Sequence, residues 1–151
     1  MGKINIKIAK LKSYKDLQLP QYATIHSSGV DLLAAIYKSV TISPGERALI
    51  SSGIAISIPE GHEGQIRPRS GLAIKHGITV INTPGTIDAD YRGELKIPII
   101  NLSKNDFTIQ RGMRIAQLII TKYETIRWNL VNKLSTHSTR GSCGFGSTGL
   151  V

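Results

Sequence analysis

Apolar and polar positions along the chain follow a period of two almost from end to end. Ile4-Asn5-Ile6-Lys7-Ile8 alternates strictly, as a half-buried strand does. Leu19-Pro20 marks a loop. His26 to Ala35 is an apolar strand that carries one carboxylate, Asp31, and one glycine, Gly29, suited to a bulge or a close approach. Val40 to Ile58 reads as two short strands broken at Ser43-Pro44-Gly45-Glu46. A run from Gly53 to Ile58 follows, closed by Pro59-Glu60-Gly61. Ser70 to His76 is the one credible helix, with Ser70 as N-cap and Gly77 as terminator. The β-branched run Ile78 to Asn82 meets Thr83-Pro84-Gly85. That pattern predicts a hairpin with Asp88 on its second arm. Lys96 to Leu102 is a strand in which Pro98 suits an edge or a bulge. Phe107 to Ile109 is a short strand, and Arg111-Gly112-Met113-Arg114 turns into the strand Ile115 to Ile120. The packed part ends over Glu124 to Val131.

Many short strands with regular turn signals and a single helix predict an all-β sandwich or barrel. The expected organisation is one β domain over residues 1–134, followed by a flexible tail over 135–151 that is rich in Gly, Ser and Thr. A chain of 151 residues is large enough for a proper core. It has no apolar run of membrane-spanning length and no signal-peptide pattern at Met1. Cys143 stands alone, so no internal disulfide forms, and cytoplasmic residence is the expectation. The net charge of +9 favours polyanionic partners, nucleotides among them. Sequence-specific nucleic-acid binding is not expected, because few aromatic residues accompany the scattered lysines and arginines.

Two segments concentrate chemistry. PRSGLA, Pro68 to Ala73, sets Arg69 and Ser70 beside the free N–H groups of a short helix, a combination suited to phosphate. GTIDADYRGE, Gly85 to Glu94, offers Asp88 and Asp90 with Tyr91 and Arg92 alongside. Asp31 needs a partner wherever it is buried: a lysine or arginine across the sheet, or metal-bound water. Gln117 is the polar exception in an apolar strand and has backbone as one partner. No His/Cys cluster has transition-metal spacing. In the tail, Gly144-Phe145-Gly146-Ser147-Thr148-Gly149 fits G-x-G-x-x-G, yet no βαβ unit surrounds it, which excludes a dinucleotide fold. Freed N–H groups, two hydroxyls and Arg140 can instead wrap a polyphosphate, with Phe145 available to stack on a base.

PRSGLAIKHG and GTIDADYRGE resemble the second and third motifs of the trimeric dUTPases. SSGVDL, GMRIAQLI and RGSCGFGSTG resemble the first, fourth and fifth, so the likeness covers nearly the whole chain. Cys143 departs from it where glycine is usual. The resemblance implies a distorted jelly roll of the β-clip type, assembled as a homotrimer with sites shared between subunits. It implies hydrolysis of dUTP to dUMP and pyrophosphate, which supplies dUMP for thymidylate synthesis and keeps uracil out of DNA. Asp88 would be the general base. Asp31 would act on Mg²⁺ through water, the metal being held mainly by substrate phosphates. Arg69, Ser70, Gly71, Gln117, Arg140, Gly146, Ser147 and Thr148 would cradle the phosphates, with Phe145 closing over the base. Asn82, Thr86, Ile87, Tyr91 and Lys96 would line the nucleoside pocket. Two alternatives share the fold: a relative of the dCTP deaminases, and a non-catalytic nucleotide-binding regulator. The DADYRG context of Asp88 argues against the first, and the presence of the expected catalytic side chains against the second.

Overall fold

The computed structural model describes residues 3–135, 137–144 and 147. Its ten strands are β1 (Lys7–Lys10), β2 (Val30–Leu33), β3 (Val40–Ile42), β4 (Arg47–Ser57), β5 (His62–Arg67), β6 (Ile78–Val80), β7 (Gly85–Ile87), β8 (Glu94–Asn101), β9 (Phe107–Ile109) and β10 (Arg114–Lys122). The helix α1 spans Ser70–His76, and a 3₁₀ turn spans Lys12–Tyr14. One sheet has the order β1-β4-β8-β6, a second β2-β10-β5-β7, and β3 pairs with β9 in a two-stranded ribbon. Every pairing between these strands is antiparallel. This is the all-β architecture that the strand and turn pattern predicts, in the distorted jelly-roll form that the resemblance implies.

The inward rows of both sheets and the ribbon meet in one core. Leu95, Ile97 and Ile99 of β8 face in, as do Ile50, Ile54 and Ile56 of β4, Leu32 of β2 and Leu118 of β10. Period two decides which residues these are, because side chains alternate across a strand. The exception is β10, where Ile115 and Ala116 are both buried because the register against β2 shifts between Arg114 and Ala116.

Several expectations are corrected. The N-terminal strand begins at Lys7 rather than Ile4 and lies on a sheet edge with all four residues exposed, so its alternation does not mark a buried face. Arg47 to Ser57 is one continuous strand. Gly53, at φ 67°, absorbs a register irregularity between Ser51 and Ala55 without ending it. Its left-handed backbone sits hard against Ala35, Ser13 and Tyr14, where a Cβ would have no room. Ile78–Val80 and Gly85–Ile87 are not the two arms of a hairpin. Ile78 and Val80 bury themselves by pairing with β8, whereas Gly85 to Ile87 pair with β5 in the other sheet. Pro98 sits on the central strand β8, neither at an edge nor in a bulge. Its carbonyl accepts the Ile81 N–H at 3.0 Å, so its nitrogen faces the same side, just beyond the last β6 pair at Val80, where no ladder donor is needed.

Polar groups join the layers. The fully buried Asn101 donates from Nδ2 to the carbonyls of Ile42 and Asn105, each at 2.8 Å. Its Oδ1 accepts from the N–H of Ser103 at 2.9 Å and from the Ser103 hydroxyl at 2.8 Å. Tyr14, also fully buried, donates its hydroxyl to the Gln18 carbonyl. Arg111 pairs with Asp16 and donates to the Ile36 carbonyl at 3.2 Å, tying the N-terminal loop to the turn before β10. The hydrogen bond from Arg111 holds the Asp16 carboxyl below its usual range, so this tie is present above the ordinary carboxylate pKa and is lost as pH falls through the lowered one. Asn101→Ala leaves the carbonyl of Ile42 and the N–H of Ser103 without these partners inside the fold. We expect a loss of about 3 kcal/mol in chemical denaturation, and a loss under about 1 kcal/mol would show that water replaces the carboxamide.

Candidate active site

The first cleft is built on β10. Register places Gln117 opposite Asp31 of β2 on one side and opposite Arg67 of β5 on the other. Directly opposed residues project to the same face, so Asp31, Gln117 and Arg67 form one polar row across the sheet. Immediately after β5 the chain passes through Pro68 into α1. Gln117 Nε2 donates to the Pro68 carbonyl at 2.9 Å and so pins the approach to the helix. The backbone partnership expected of Gln117 is observed. Gly29 shows why a glycine precedes β2: a Cβ there would come within 2.9 Å of Gln117 Oε1. The close approach expected at Gly29 is therefore real, and it is to a side chain.

The helix start differs from expectation. Arg69, at φ −99° and ψ 126°, occupies the N-cap position, and Ser70 is the first helical residue. No side chain caps the helix, so the Ser70 hydroxyl is not consumed by a cap. At the other end Gly77 takes the left-handed conformation at φ 64° and donates to the carbonyls of Ala73 and Leu72, as a terminating glycine does.

Asp31 has the arginine partners that its burial required. Arg69 Nε lies 2.9 Å from Asp31 Oδ1, and Arg114 Nη1 lies 3.5 Å from Oδ2. Arg69 also donates from Nη1 to the Arg114 carbonyl at 3.2 Å. Two guanidinium groups thus flank one carboxylate, which leaves the cluster with net positive charge and fixes the direction of Arg69. Arg114 is the residue that reasoning from sequence passed over. It stands within GMRIAQLI, but nothing in its spacing says that it faces Asp31, because the irregularity at Arg114 to Ala116 resets the alternation. Asp31, Arg69, Ser70, Gly71 and Gln117 line an open cleft of about 460 Å³, together with Ser27, Ser28, Gly29, Gln21 and Ala23.

Asp88 lies elsewhere. It lines a second cleft of about 520 Å³, with Ile58, Glu60, Ala89, Asp90, Arg92 and Tyr123. The two clefts have no lining residue in common. Proximity in sequence therefore does not bring the phosphate grip and the carboxylate together within one chain. Arg92 closes its own loop by donating to the carbonyls of Ala89 at 2.6 Å and Tyr91 at 2.8 Å. The Tyr91 hydroxyl donates to the Glu94 carbonyl at 3.0 Å. Asn82 is exposed on the turn before β7, Thr86 and Ile87 lie on the edge strand β7, and Lys96 points outward from β8. None of these residues lines the phosphate cleft.

After β10 every described residue from Tyr123 to Cys143 is exposed, including Ile126, Trp128, Leu130 and Leu134. Arg140 donates from Nε to the Cys143 carbonyl at 3.1 Å across a turn whose left-handed residue is Gly141, at φ 57°. The Ser147 N–H donates to the Gly144 carbonyl at 3.1 Å. Phe145, Gly146 and Thr148 lie outside the described residues.

Fold and clefts together define an all-β protein with one cleft that holds Arg69 and Asp31 and a second, separate cleft that holds Asp88. Comparison with known proteins makes the class specific. The family model for dUTPase matches residues 15–149. The deoxyuridine 5'-triphosphate nucleotidohydrolase of Rickettsia felis is 60% identical over 145 residues, covering 96% of this chain and 97% of the relative. That of Rickettsia prowazekii is 59% identical over 147 residues, covering 97% and 98%. Among solved structures, a mutant dUTPase of Staphylococcus bacteriophage 80alpha with dUpNHpp superimposes with a TM-score of 0.86 at 28% identity, covering 98% of this chain and all of that one. A mutant dUTPase of phage phi11 of S. aureus, described with a structural Mg(II) ion, matches with a TM-score of 0.76 at 26% identity over 86% of this chain and 98% of that one. The chain belongs to the dUTPase family.

The Gln117–Pro68 bond gives the cleft a direct test. Gln117→Met keeps the length and removes the donor. Stability should fall by about 1 kcal/mol, and calorimetric affinity for pyrophosphate should fall several-fold as Arg69 to Gly71 lose their anchor. Unchanged affinity would mean that this bond does not position the cleft.

Proposed function

We propose that the protein hydrolyses dUTP to dUMP and pyrophosphate by attack of water on the α-phosphorus, at sites assembled between subunits of a homotrimer. The observation that carries this reading is the separation of the clefts. The carboxylate beside a phosphate cradle of Arg69, Ser70, Gly71 and Gln117 is Asp31, held by two arginines and so a poor base, and the cleft of Asp88 lacks the cradle residues. A neighbouring subunit's Asp88 resolves both deficits. The exposed apolar residues of the C-terminal arm support assembly, since Ile126, Trp128 and Leu130 have no burial within their own chain.

The charge arrangement suits the chemistry. Arg69, held by Asp31 and by the Arg114 carbonyl, presents a fixed guanidinium to the phosphates, so little reorganisation is needed as charge develops. The first-turn N–H groups of α1 and the free Ser70 hydroxyl add donors. Asp88 takes the proton from the attacking water, a role that typically contributes about 10²–10⁴ in rate. Arg140 and Ser147 of the tail, with Phe145, Gly146 and Thr148, complete the enclosure. Asn82 reads the uracil edge beside the Thr86 and Ile87 backbone. Lys96 borders the nucleoside, and Tyr91 lies under the deoxyribose and excludes a 2'-hydroxyl.

The donor set fits a magnesium ion carried in by the substrate. Asp31 is the carboxylate lining the phosphate cleft, and one arginine on each oxygen leaves lone pairs for metal-bound water. No group of three or more His, Cys, Asp or Glu among the described residues is placed to hold a metal alone. Mg²⁺ bound to phosphate oxygens would neutralise their charge and polarise the α-phosphorus.

Pyrophosphate release from dUTP, dTTP, UTP and dCTP, with and without Mg²⁺, tests the reading. Turnover should be confined to dUTP and require the metal, and ammonia release from dCTP would contradict it. In Asp88→Asn, kcat should fall about 10²-fold or more with nucleotide still bound, and near-normal turnover would remove Asp88 from its role. Sharing of sites is tested by refolding Asp88→Asn together with Arg69→Ala. Each variant should be nearly inactive alone, while random mixed trimers join an intact cradle to an intact base at about one quarter of sites. Mixed trimers verified by a mass tag, yet without recovered activity, would place both residues in one chain's site.

A further inference from the structure

The geometry points to Gly93 as a positioning residue for sugar discrimination, acting through Tyr91; the inference rests on the proposed contact between Tyr91 and the deoxyribose. Gly93 follows Arg92 in the loop that leads into β8. Its backbone does not demand glycine, since it is not among the glycines with positive φ. What demands glycine is the Tyr91 ring. A Cβ at position 93 would lie 2.6 Å from Tyr91 Cζ and 3.0 Å from Cε2, and closer still to the hydroxyl oxygen. Ordinary contact begins at about 3.5 Å. The three atoms nearest to that Cβ all belong to this one ring.

The missing side chain thus lets the ring fold back over the backbone and donate its hydroxyl to the Glu94 carbonyl at 3.0 Å. The loop itself is braced separately by Arg92, through the carbonyls of Ala89 and Tyr91. Tyr91 is 44% exposed, which leaves its ring room to swing outward. A methyl group at position 93 would therefore displace the ring by roughly 1 Å and break the bond to Glu94, with the loop left in place. Steric rejection of a 2'-hydroxyl operates on that length scale, because the group to be excluded is a single oxygen atom. Rejection of a 5-methyl group concerns the other end of the nucleoside and does not involve this ring.

The test compares the full-length Gly93→Ala, Tyr91→Ala and Gly93→Ala/Tyr91→Ala enzymes by kcat/KM for dUTP, UTP and dTTP, and by Tm. Gly93→Ala should lower the dUTP/UTP ratio about tenfold, with the dUTP/dTTP ratio unchanged. In the Tyr91→Ala background the added methyl should change neither the ratio nor Tm, because its target is gone. If Tyr91→Ala lowers the ratio and Gly93→Ala does not, the positioning role is overturned and the sugar reading survives. Equal losses on dUTP and UTP in Gly93→Ala would make Gly93 a merely structural glycine and overturn the inference. An unchanged ratio in Tyr91→Ala would overturn the sugar reading itself. Failure of Gly93→Ala to fold would show that the ring cannot swing outward with the loop left in place, and would overturn the inference whether or not the double variant folds.

Discussion

The register of β10 between β2 and β5 is the constraint on which the cleft of Asp31, Arg69 and Ser70 depends. Gln117 opposite both Asp31 and Arg67 puts a carboxamide, a carboxylate and a guanidinium in one row. From that row the Pro68 carbonyl is caught and Arg69 is steered. A slip of one residue would turn Gln117 into the core and expose Leu118. The inward row of Leu118, Leu32 and Ile66 forbids the slip, because these side chains would leave the core. Site geometry is thus enforced by hydrophobic burial on the opposite face of the same strands, and the polar row inherits its precision from the apolar one.

The same two-sheet architecture keeps Asp88 apart from the cleft of Arg69 and Ser70. Ile78 and Val80 must bury against β8, and Gly85 must pair with Ile66, so the segment between them crosses from one sheet to the other. Asp88 is carried with it to a cleft bounded by Glu60 and Tyr123. The proposed completion of the site between subunits is consistent with this topology. On the proposed reading association and catalysis would share one structural cause: a chain that does not assemble would hold all its groups in place and have no complete site.

Much of this was legible in the residues. Alternation marked most strands, Gly77 marked the end of α1, and the need of Asp31 for a partner, arginine or lysine or metal-bound water, followed from the cost of withdrawing a charge from water. What escaped were effects of tertiary pairing. Ser70 looks like a cap, but the turn through Pro68 and Arg69 starts the helix one residue earlier. Pro98 looks like an edge residue, and only the end of β6 at Val80 explains its tolerance in a central strand. Asn101 and Tyr14 give no signal of full burial, since each is rescued by partners that the fold alone brings near. The two clefts could not be separated from sequence, because GTIDADYRGE follows PRSGLA closely and nothing local says that the chain changes sheets between them.

The central claim is attack of water at the α-phosphorus, directed by groups held on two elements of the fold. It is tested most directly by turning over dUTP in ¹⁸O-labelled water with Mg²⁺ and locating the label by mass spectrometry. Attack at the α-phosphorus forms the new bond to the nucleotide, so one labelled oxygen should appear in dUMP and none in pyrophosphate. Label in pyrophosphate, with unlabelled dUMP, would place the attack at the β-phosphorus and contradict the account.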